Sequence, residues 1–323
     1  MEIVISTIKG KEYYYLDHTY RNETGKIIKK RTYLGKEIPT NIEDIKKEFM
    51  DELNKELWHK KLDNIKKNFN KEFSKLPATA KRKYAEQFLI KFTYNSNRIE
   101  GSTITLKETT RLLQEGRAPN KPIKDIKEIE SHKKVFEEML KETQSSKATG
   151  VSKEKGLLHK NDLSLNLIKK WHEELFFGID DEIAGKIREH PVAIAGSKFE
   201  PPQANEVDYL LRKFIQWYNN NKKKTHPVEL AALVHLKFVT IHPFTDGNGR
   251  ISRLLMNFIL NKNNFPMLDI EYTGKNSYYN ALERSQTKEE ERIFLMHIVK
   301  RYLKQYKKYA KKPWRKKFLV ARN

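Results

Sequence analysis

Twelve residues, His242-Pro243-Phe244-Thr245-Asp246-Gly247-Asn248-Gly249-Arg250-Ile251-Ser252-Arg253, gather an imidazole, a carboxylate, two glycines and two guanidiniums between apolar, helix-forming stretches. Packing so many polar groups between buried helices is costly unless they meet partners or a ligand. His242-Pro243 breaks one helix, because proline restricts the residue before it. A second helix starts near Asn248, so a short loop feeds a helix N-terminus, where free N–H groups and the dipole attract phosphate. Gly247 and Gly249 let the backbone approach a ligand without a Cβ. Arg250 and Arg253, three apart, reach the same side and can clamp two charged groups. Asp246 suits a divalent metal bridging phosphates. His242, with an ordinary pKa of about 6.5, suits a general base. Singly, these residues read as a helix-end histidine, a capping carboxylate and a surface ion pair; together they point to nucleotide-phosphate chemistry.

The elements that position these groups follow from hydrophobic spacing. Leu230, Leu233, Val234 and Phe238 repeat at helical period behind Pro227, a favoured first helical residue. Ile251, Leu254, Leu255, Phe258 and Ile259 define the second buried helix. Residues 1–38 read as a small β module: Ile3, Ile5 and Tyr13-Tyr14-Tyr15 suit strands, Gly10-Lys11 and Thr24-Gly25-Lys26 suit turns, and a third strand from Ile27 ends at Gly35. From Pro39 the period becomes helical, and Ile42, Ile45, Phe49, Leu53, Leu57, Leu62, Ile65, Phe69, Phe73 and Leu76 mark one or two long amphipathic helices over 39–78. Further helices are predicted at 81–99, 105–114, 123–142, 163–176 and 206–219. Thr103 or Thr105 caps the second of these and Asn161 or Asp162 the fourth. Residues 143–155 read as a polar connection and 178–205 as an irregular segment, with a hairpin over Val192–Phe199. The fold class is therefore mainly α, a helical bundle with a small β-hairpin, preceded by the β module.

The composition narrows the partners. The chain has 323 residues, 38% of them hydrophobic, enough for one large domain or two smaller ones. It has no cysteine, which excludes disulfides and thiolate chemistry. No run of 18 apolar residues suggests a membrane span, and Met1-Glu2-Ile3 lacks a signal-peptide layout, so a cytoplasmic protein is expected. The net charge of +22 is mostly interleaved with glutamate, as on solvated helices. The tail from Arg301 to Asn323 differs, with ten Lys or Arg and no acid among Tyr302, Tyr306, Tyr309, Trp314 and Phe318. A helix packing its aromatic rings while its lysines stay in water is the preferred reading, and nucleic-acid binding through this tail the alternative. Glu189-His190, His159, His172 and His226 show no metal-ligand spacing, and His235 reads as a packed or surface histidine.

The segment from His242 to Arg250, with Arg253, resembles the Fic-domain signature at every defining position. The surrounding helices from about 80 to 300, including Tyr278-Tyr279-Asn280-Ala281-Leu282, are also similar to the larger Fic unit. The resemblance implies a helical catalytic domain over 79–300 that transfers AMP from ATP to a Ser, Thr or Tyr hydroxyl of a target protein. It implies that His242 deprotonates the hydroxyl and that Asp246 holds Mg²⁺. Gly247, Asn248, Gly249 and Arg250 would grip phosphates, Arg253 would place the γ-phosphate, and Phe244 would anchor the loop. The hairpin residues Ile194, Ala195, Gly196, Ser197, Lys198 and Phe199 would form a flap that pins the target backbone. Lys275, Asn276 and Tyr278 are candidates for the nucleobase side, with Tyr279 stacking on adenine.

Ser96-Asn97-Arg98-Ile99-Glu100-Gly101 is similar to the family's inhibitory pattern. Ser96 and Glu100 lie four apart on one helical face. The resemblance implies that helix 81–101 packs over the site and that Glu100 takes Arg253 from the γ-phosphate. It leaves open the reverse reaction, in which Glu100 orients water to remove AMP. A nucleotide-sensing DNA-binding regulator is the alternative of another class. The partners expected are the target protein, the chain itself as acceptor and a second copy in a homodimer.

Overall fold

The computed structural model describes residues 1–21, 26–148 and 162–310. It divides into two compact units, Met1–Asn64 and Ile65–Asn323. In the first, β1 (Glu2–Ile8), β2 (Lys11–Arg21) and β3 (Ile27–Gly35) form an antiparallel sheet in that order. Ile3 faces Leu16, and Tyr15 faces Tyr33. The first turn falls at Lys9-Gly10, both at positive φ. The turn expected at Thr24-Gly25 lies outside the described residues. Buried Asp17 accepts two bonds from Arg31 (2.7 and 2.8 Å) and pairs with Lys29 Nζ at 2.6 Å, which ties β2 to β3. Such a sheet is marginal alone. The first part of α1 (Ile42–Ser74) belongs to the same unit, and Lys30 of β3 pairs with Glu56 on it at 3.0 Å. No proline or glycine interrupts α1, so it is one helix rather than two.

The second unit contains the rest of α1, followed by α2 (Ala78–Ile99), α3 (Leu106–Glu115), α4 (Ile123–Ala148), α5 (Leu165–Phe176) and α6 (Val207–Asn221). Then come α7 (Pro227–Ile241), α8 (Asn248–Lys262), α9 (Lys275–Thr287), α10 (Glu291–Gln305) and the single turn α11 (Lys307–Ala310). The antiparallel pair α7–α8 forms its centre: Val234, Phe238, Ile251, Leu254, Leu255 and Phe258 are fully buried. Each contributes roughly 1.5–3 kcal/mol by leaving water. Trp171 of α5 packs edge-on against Phe258, ring centres 5.6 Å apart.

Several boundaries differ from the sequence expectation. Thr105 caps α3 in a capping box with Glu108, as expected. Helix α4 runs on to Ala148, and the rest of the expected polar connection, 149–155, lies outside the described residues. The α5 cap is Ser164, whose hydroxyl accepts the Leu167 N–H at 3.2 Å. Asp162 does not cap because its carboxylate is taken by Tyr218 (2.7 Å), Lys222 (2.5 Å) and Lys262 (2.7 Å). Asn161 and His159 lie outside the described residues.

The segment 192–199 carries a turn, not a paired hairpin: the Ser197 N–H reaches the Ile194 carbonyl at 3.0 Å, with Gly196 at φ 75°. Strands need a partner edge. Here the Lys198 N–H turns aside to Glu283 (3.2 Å), and β1–β3 are the only strands among the described residues. At the chain end, Tyr302 and Tyr306 are buried, and Phe69 packs edge-on to Tyr306 and Tyr309 at 5.9 and 5.4 Å. The Tyr302 and Tyr306 rings are turned inward, away from any stacking partner in solvent. Trp314, Phe318 and the rest of 311–323 lie outside the described residues. No described helix is long and apolar enough to cross a membrane.

Candidate active site

Helix α7 stops at His242, which adopts a left-handed conformation (φ 51°, ψ 58°) before Pro243. A non-glycine residue there stores on the order of 1–3 kcal/mol of strain, so its surroundings must hold it. Arg188, only 3% exposed, does so. Its Nε donates to the His242 carbonyl at 2.7 Å, and its backbone N–H donates to the Pro243 carbonyl at 3.0 Å. Its Nη1 and Nη2 donate to the His190 and Pro202 carbonyls at 3.1 and 2.6 Å. One guanidinium thus fastens the turn bearing His242 to both sides of the 192–199 segment. His242 Nδ1 lies 3.1 Å from the Val239 carbonyl, which only accepts. The proton therefore sits on Nδ1 in the neutral ring, and Nε2 keeps its lone pair. Burial pushes the His242 pKa below its ordinary value, and the nearby Arg188 charge adds to the effect.

Phe244 is fully buried and stacks on His172 of α5, ring centres 3.7 Å apart. The Gly185 N–H donates to His172 Nδ1 at 3.0 Å, so His172 Nε2 carries the proton and donates to the Asp246 carbonyl at 3.0 Å. Asn248 closes the loop from the other side: its Oδ1 accepts the Phe244 N–H (2.9 Å) and its Nδ2 donates to the Phe244 carbonyl (2.7 Å). Both ends of that amide are committed to the loop, which leaves the Asn248 backbone at the α8 N-terminus as its remaining polar group. The glycines answer to different neighbours. A Cβ on Gly247, at φ 79°, would lie 2.6 Å from the Phe176 ring. A Cβ on Gly249 would fall on Glu100 Oε1 and lie 3.1 Å from Arg253 Nη1.

The two arginines are buried and oppositely engaged. Arg250 lies between Glu128 of α4 (3.1 Å) and Asp246 (3.3 Å), with its guanidinium 5.0 Å from the Phe176 ring centre. Arg253 faces α2: Nε donates to Ser96 Oγ (3.0 Å), and Nη2 donates to the Ser96 carbonyl (2.9 Å) and to Glu100 Oε1 (2.7 Å). Its Nη1 has no partner among the described residues. Glu100 closes α2 just before Gly101, whose φ of 111° turns the chain away. The Asp246 side chain is 49% exposed, with Oδ1 accepting the Gly247 N–H and Oδ2 paired with Arg250 at 3.3 Å.

His242, the 246–250 loop, Arg253, Ser96 and Glu100 thus converge at the α2–α8 crossing. Tyr278 does not line an open nucleobase site: it is buried, and its hydroxyl lies 2.8 Å from His235 Nε2. His235 is packed rather than on the surface, 3.1 Å from Ser252 Oγ. Tyr279 is half-buried beside Lys275, whose Nζ lies 5.4 Å from its ring centre, and Asn276 is exposed. Sequence reasoning missed Arg188, the bracing role of His172, and Glu128. Among the described residues no group of three or more His, Cys, Asp or Glu forms a metal-binding set.

The histidines give the fold an acid limit. Burial holds His172 down to about 4, with the Arg250 charge acting the same way, and burial also lowers His132 and His235. An unfolded chain protonates these rings near 6.5. The stabilisation is therefore complete above that pH and drains away as the pH falls toward about 4, with His172 alone contributing about 3 kcal/mol. Melting temperatures recorded from pH 7.5 to 4.5 should fall steadily below pH 6.5, and a flat profile would contradict the assignment.

A domain of this kind, a helical hairpin with a braced polar loop at its bend, has known relatives. Residues 162–260 match the Fic/DOC family, and the chain carries a Fic domain there. It is 34% identical over 205 residues to protein adenylyltransferase Fic of Drosophila yakuba, covering 63% of this chain and 38% of that protein. Its counterpart in Drosophila melanogaster is 33% identical over the same length, covering 63% and 39%. The chain thus spans about two fifths of the length of these curated relatives. Among solved structures, a Fic domain containing signaling protein from Bacteroides thetaiotaomicron superposes with a TM-score of 0.66 at 27% identity, over 77% of this chain and 96% of that one. Fic-1 from C. elegans gives 0.64 at 25% identity, over 81% and 72%.

Proposed function

We propose that this chain transfers AMP from ATP to a Ser, Thr or Tyr hydroxyl of a target protein, itself included, and that Glu100 holds the activity down. The observation that carries this reading is a base with a free Nε2 lone pair beside a helix N-terminus whose nearby arginine is held by a glutamate from another helix. The relatives' name, protein adenylyltransferase, supports the reaction type.

In the proposed reaction the target hydroxyl passes its proton to His242 Nε2 as its oxygen bonds the α-phosphorus. The bond from the α-phosphorus to the bridging oxygen breaks, and pyrophosphate leaves. Backbone N–H groups at Asn248 and Gly249 face charge that grows on phosphate oxygens, the Gly247 N–H being taken by Asp246 Oδ1, and Arg250 is held ready by Glu128. Arg253 takes the γ-phosphate once Glu100 lets go. Asp246 fits Mg²⁺: a single exposed carboxylate suits an ion that prefers oxygen ligands and fills its remaining positions with phosphate and water. When bound, the ion would offset phosphate charge. On this reading residues 79–300 are the catalytic domain, with 81–101 as its inhibitory helix. Residues 1–38 and 301–323 then serve target choice or assembly.

Mass analysis of the Glu100→Gly protein after incubation with mixed nucleoside triphosphates tests this directly. An added AMP on a hydroxyl side chain is the expected result. No added mass with any nucleotide, on this chain or on a lysate, would remove the proposal.

A further inference from the structure

Beyond the flap segment a groove of about 630 Å³ runs between α6, α7 and the α9–α10 junction. Its lining is apolar at Phe199, Leu210, Phe214, Trp217, Leu236 and Ile241. Its rim is acidic, with Glu200, Glu206 and Glu289 all exposed. The lysines on the rim do not balance them. Lys237 is paired with Glu291, and Lys213, 4.5 Å from the Tyr209 ring centre, keeps its charge but offsets only one of the three. An acidic rim on a chain of net charge +22 is a local reversal of sign, and such a reversal selects cations at close range.

The groove is continuous with the active site. Thr240 and Ile241 line it and immediately precede His242, while Phe199, Glu200 and Pro202 form its near wall and continue the flap. Arg188 holds that wall in place through the Pro202 carbonyl. From Ile241 back to Leu236 the helix rises about 7.5 Å, a span covered by two or three extended residues.

We propose that this groove takes a segment of the protein substrate, and that the segment carries apolar side chains flanked by lysine or arginine, two to four residues from the accepting hydroxyl. The apolar side chains fill the floor beside Trp217, and the basic ones face Glu200 and Glu289. The inference rests on the proposed AMP transfer for its substrate, but its test does not need nucleotide.

The test uses the full chain without nucleotide and two synthetic peptides, each with one Ser, a Leu-Phe pair and two Arg, in opposite orders. Binding is read from Trp217 emission, with Trp217→Phe as the control for the other tryptophans. Saturable binding by one peptide is expected, weakened roughly fivefold to tenfold in Glu200→Lys/Glu289→Lys at low salt and by less at 0.5 M salt. The same peptide with Glu for Arg should bind as weakly as one with Gly for Leu-Phe. Equal affinity for the acidic peptide, no saturable change with either order, or an undiminished change in Trp217→Phe would overturn the proposal. Sedimentation showing that the groove is filled by a second copy of the chain would also overturn it. If the Glu100→Gly protein labels proteins while no peptide binds, AMP transfer survives and the groove assignment falls.

Discussion

Replacing His242 with alanine lowers AMP transfer by roughly 10²–10⁴-fold, the usual span for losing a general base, while nucleotide still binds. The expectation follows from the ring's fixed tautomer: Nδ1 donates to the Val239 carbonyl at 3.1 Å, which leaves Nε2 to accept a proton. Burial favours the neutral ring, so most molecules carry a competent base near pH 7. Activity should therefore persist as pH drops to 6.5 and fall only below it, as the depressed pKa is crossed. Alanine also strains a backbone at φ 51°, so His242→Asn is the better variant, because asparagine tolerates this conformation. The measurement is transfer from labelled ATP in a Glu100→Gly background, with nucleotide affinity measured separately by calorimetry. A His242→Asn protein that keeps its rate would remove His242 from the chemistry; lost nucleotide binding would make its role structural.

Glu100→Gly should raise nucleotide affinity, and transfer with it, by about 10- to 100-fold. A hydrogen bond to a charged group contributes roughly 1.5–3 kcal/mol, and each 1.4 kcal/mol is about tenfold in an equilibrium. Glu100 Oε1 bonds the buried Arg253 at 2.7 Å, while Ser96 supplies two further acceptors at 3.0 and 2.9 Å. Removing the carboxylate leaves the guanidinium seated by Ser96 yet free to take a phosphate oxygen. Glu100→Gln should fall between the two proteins, because it keeps an acceptor and loses the charge. Titration with ATP and with AMP separates this from a general loosening. Tightening specific to ATP is expected, since AMP has no γ-phosphate for Arg253, and equal tightening of both would contradict the assignment.

The centre of this site was legible because its groups are neighbours in the chain. Between His242 and Arg253 the proline, the two glycines and the spacing of the arginines each act through local backbone geometry. The helices around it were legible from their periodicity, and Glu100 through a short pattern carried by the family resemblance. What stayed hidden acts at a distance. Arg188 bonds a carbonyl 54 residues away and His172 one 74 residues away, and neither local sequence encodes such a partner. Glu128 is one carboxylate among many on a Lys/Glu-rich helix until folding sets it against Arg250. Tyr278 looked like a nucleobase wall, but its hydroxyl is committed to His235 inside the core. Residues 192–199 read as a hairpin, but a local stretch cannot supply the paired second strand, and the structure holds a turn there.

Arg253 Nη1 is buried with no partner among the described residues, on the side where Gly249 lacks a Cβ. A buried donor without an acceptor costs about 1–3 kcal/mol. With Glu100 engaged, neither Glu100 nor Ser96 supplies Nη1 with that acceptor, a deficit a ligand could make good. An incoming phosphate oxygen that reaches Nη1 recovers this deficit even before it displaces Glu100. If Glu100 holds the activity down as proposed, that hold is incomplete by one hydrogen bond, and a nucleotide would meet a lower threshold in displacing it.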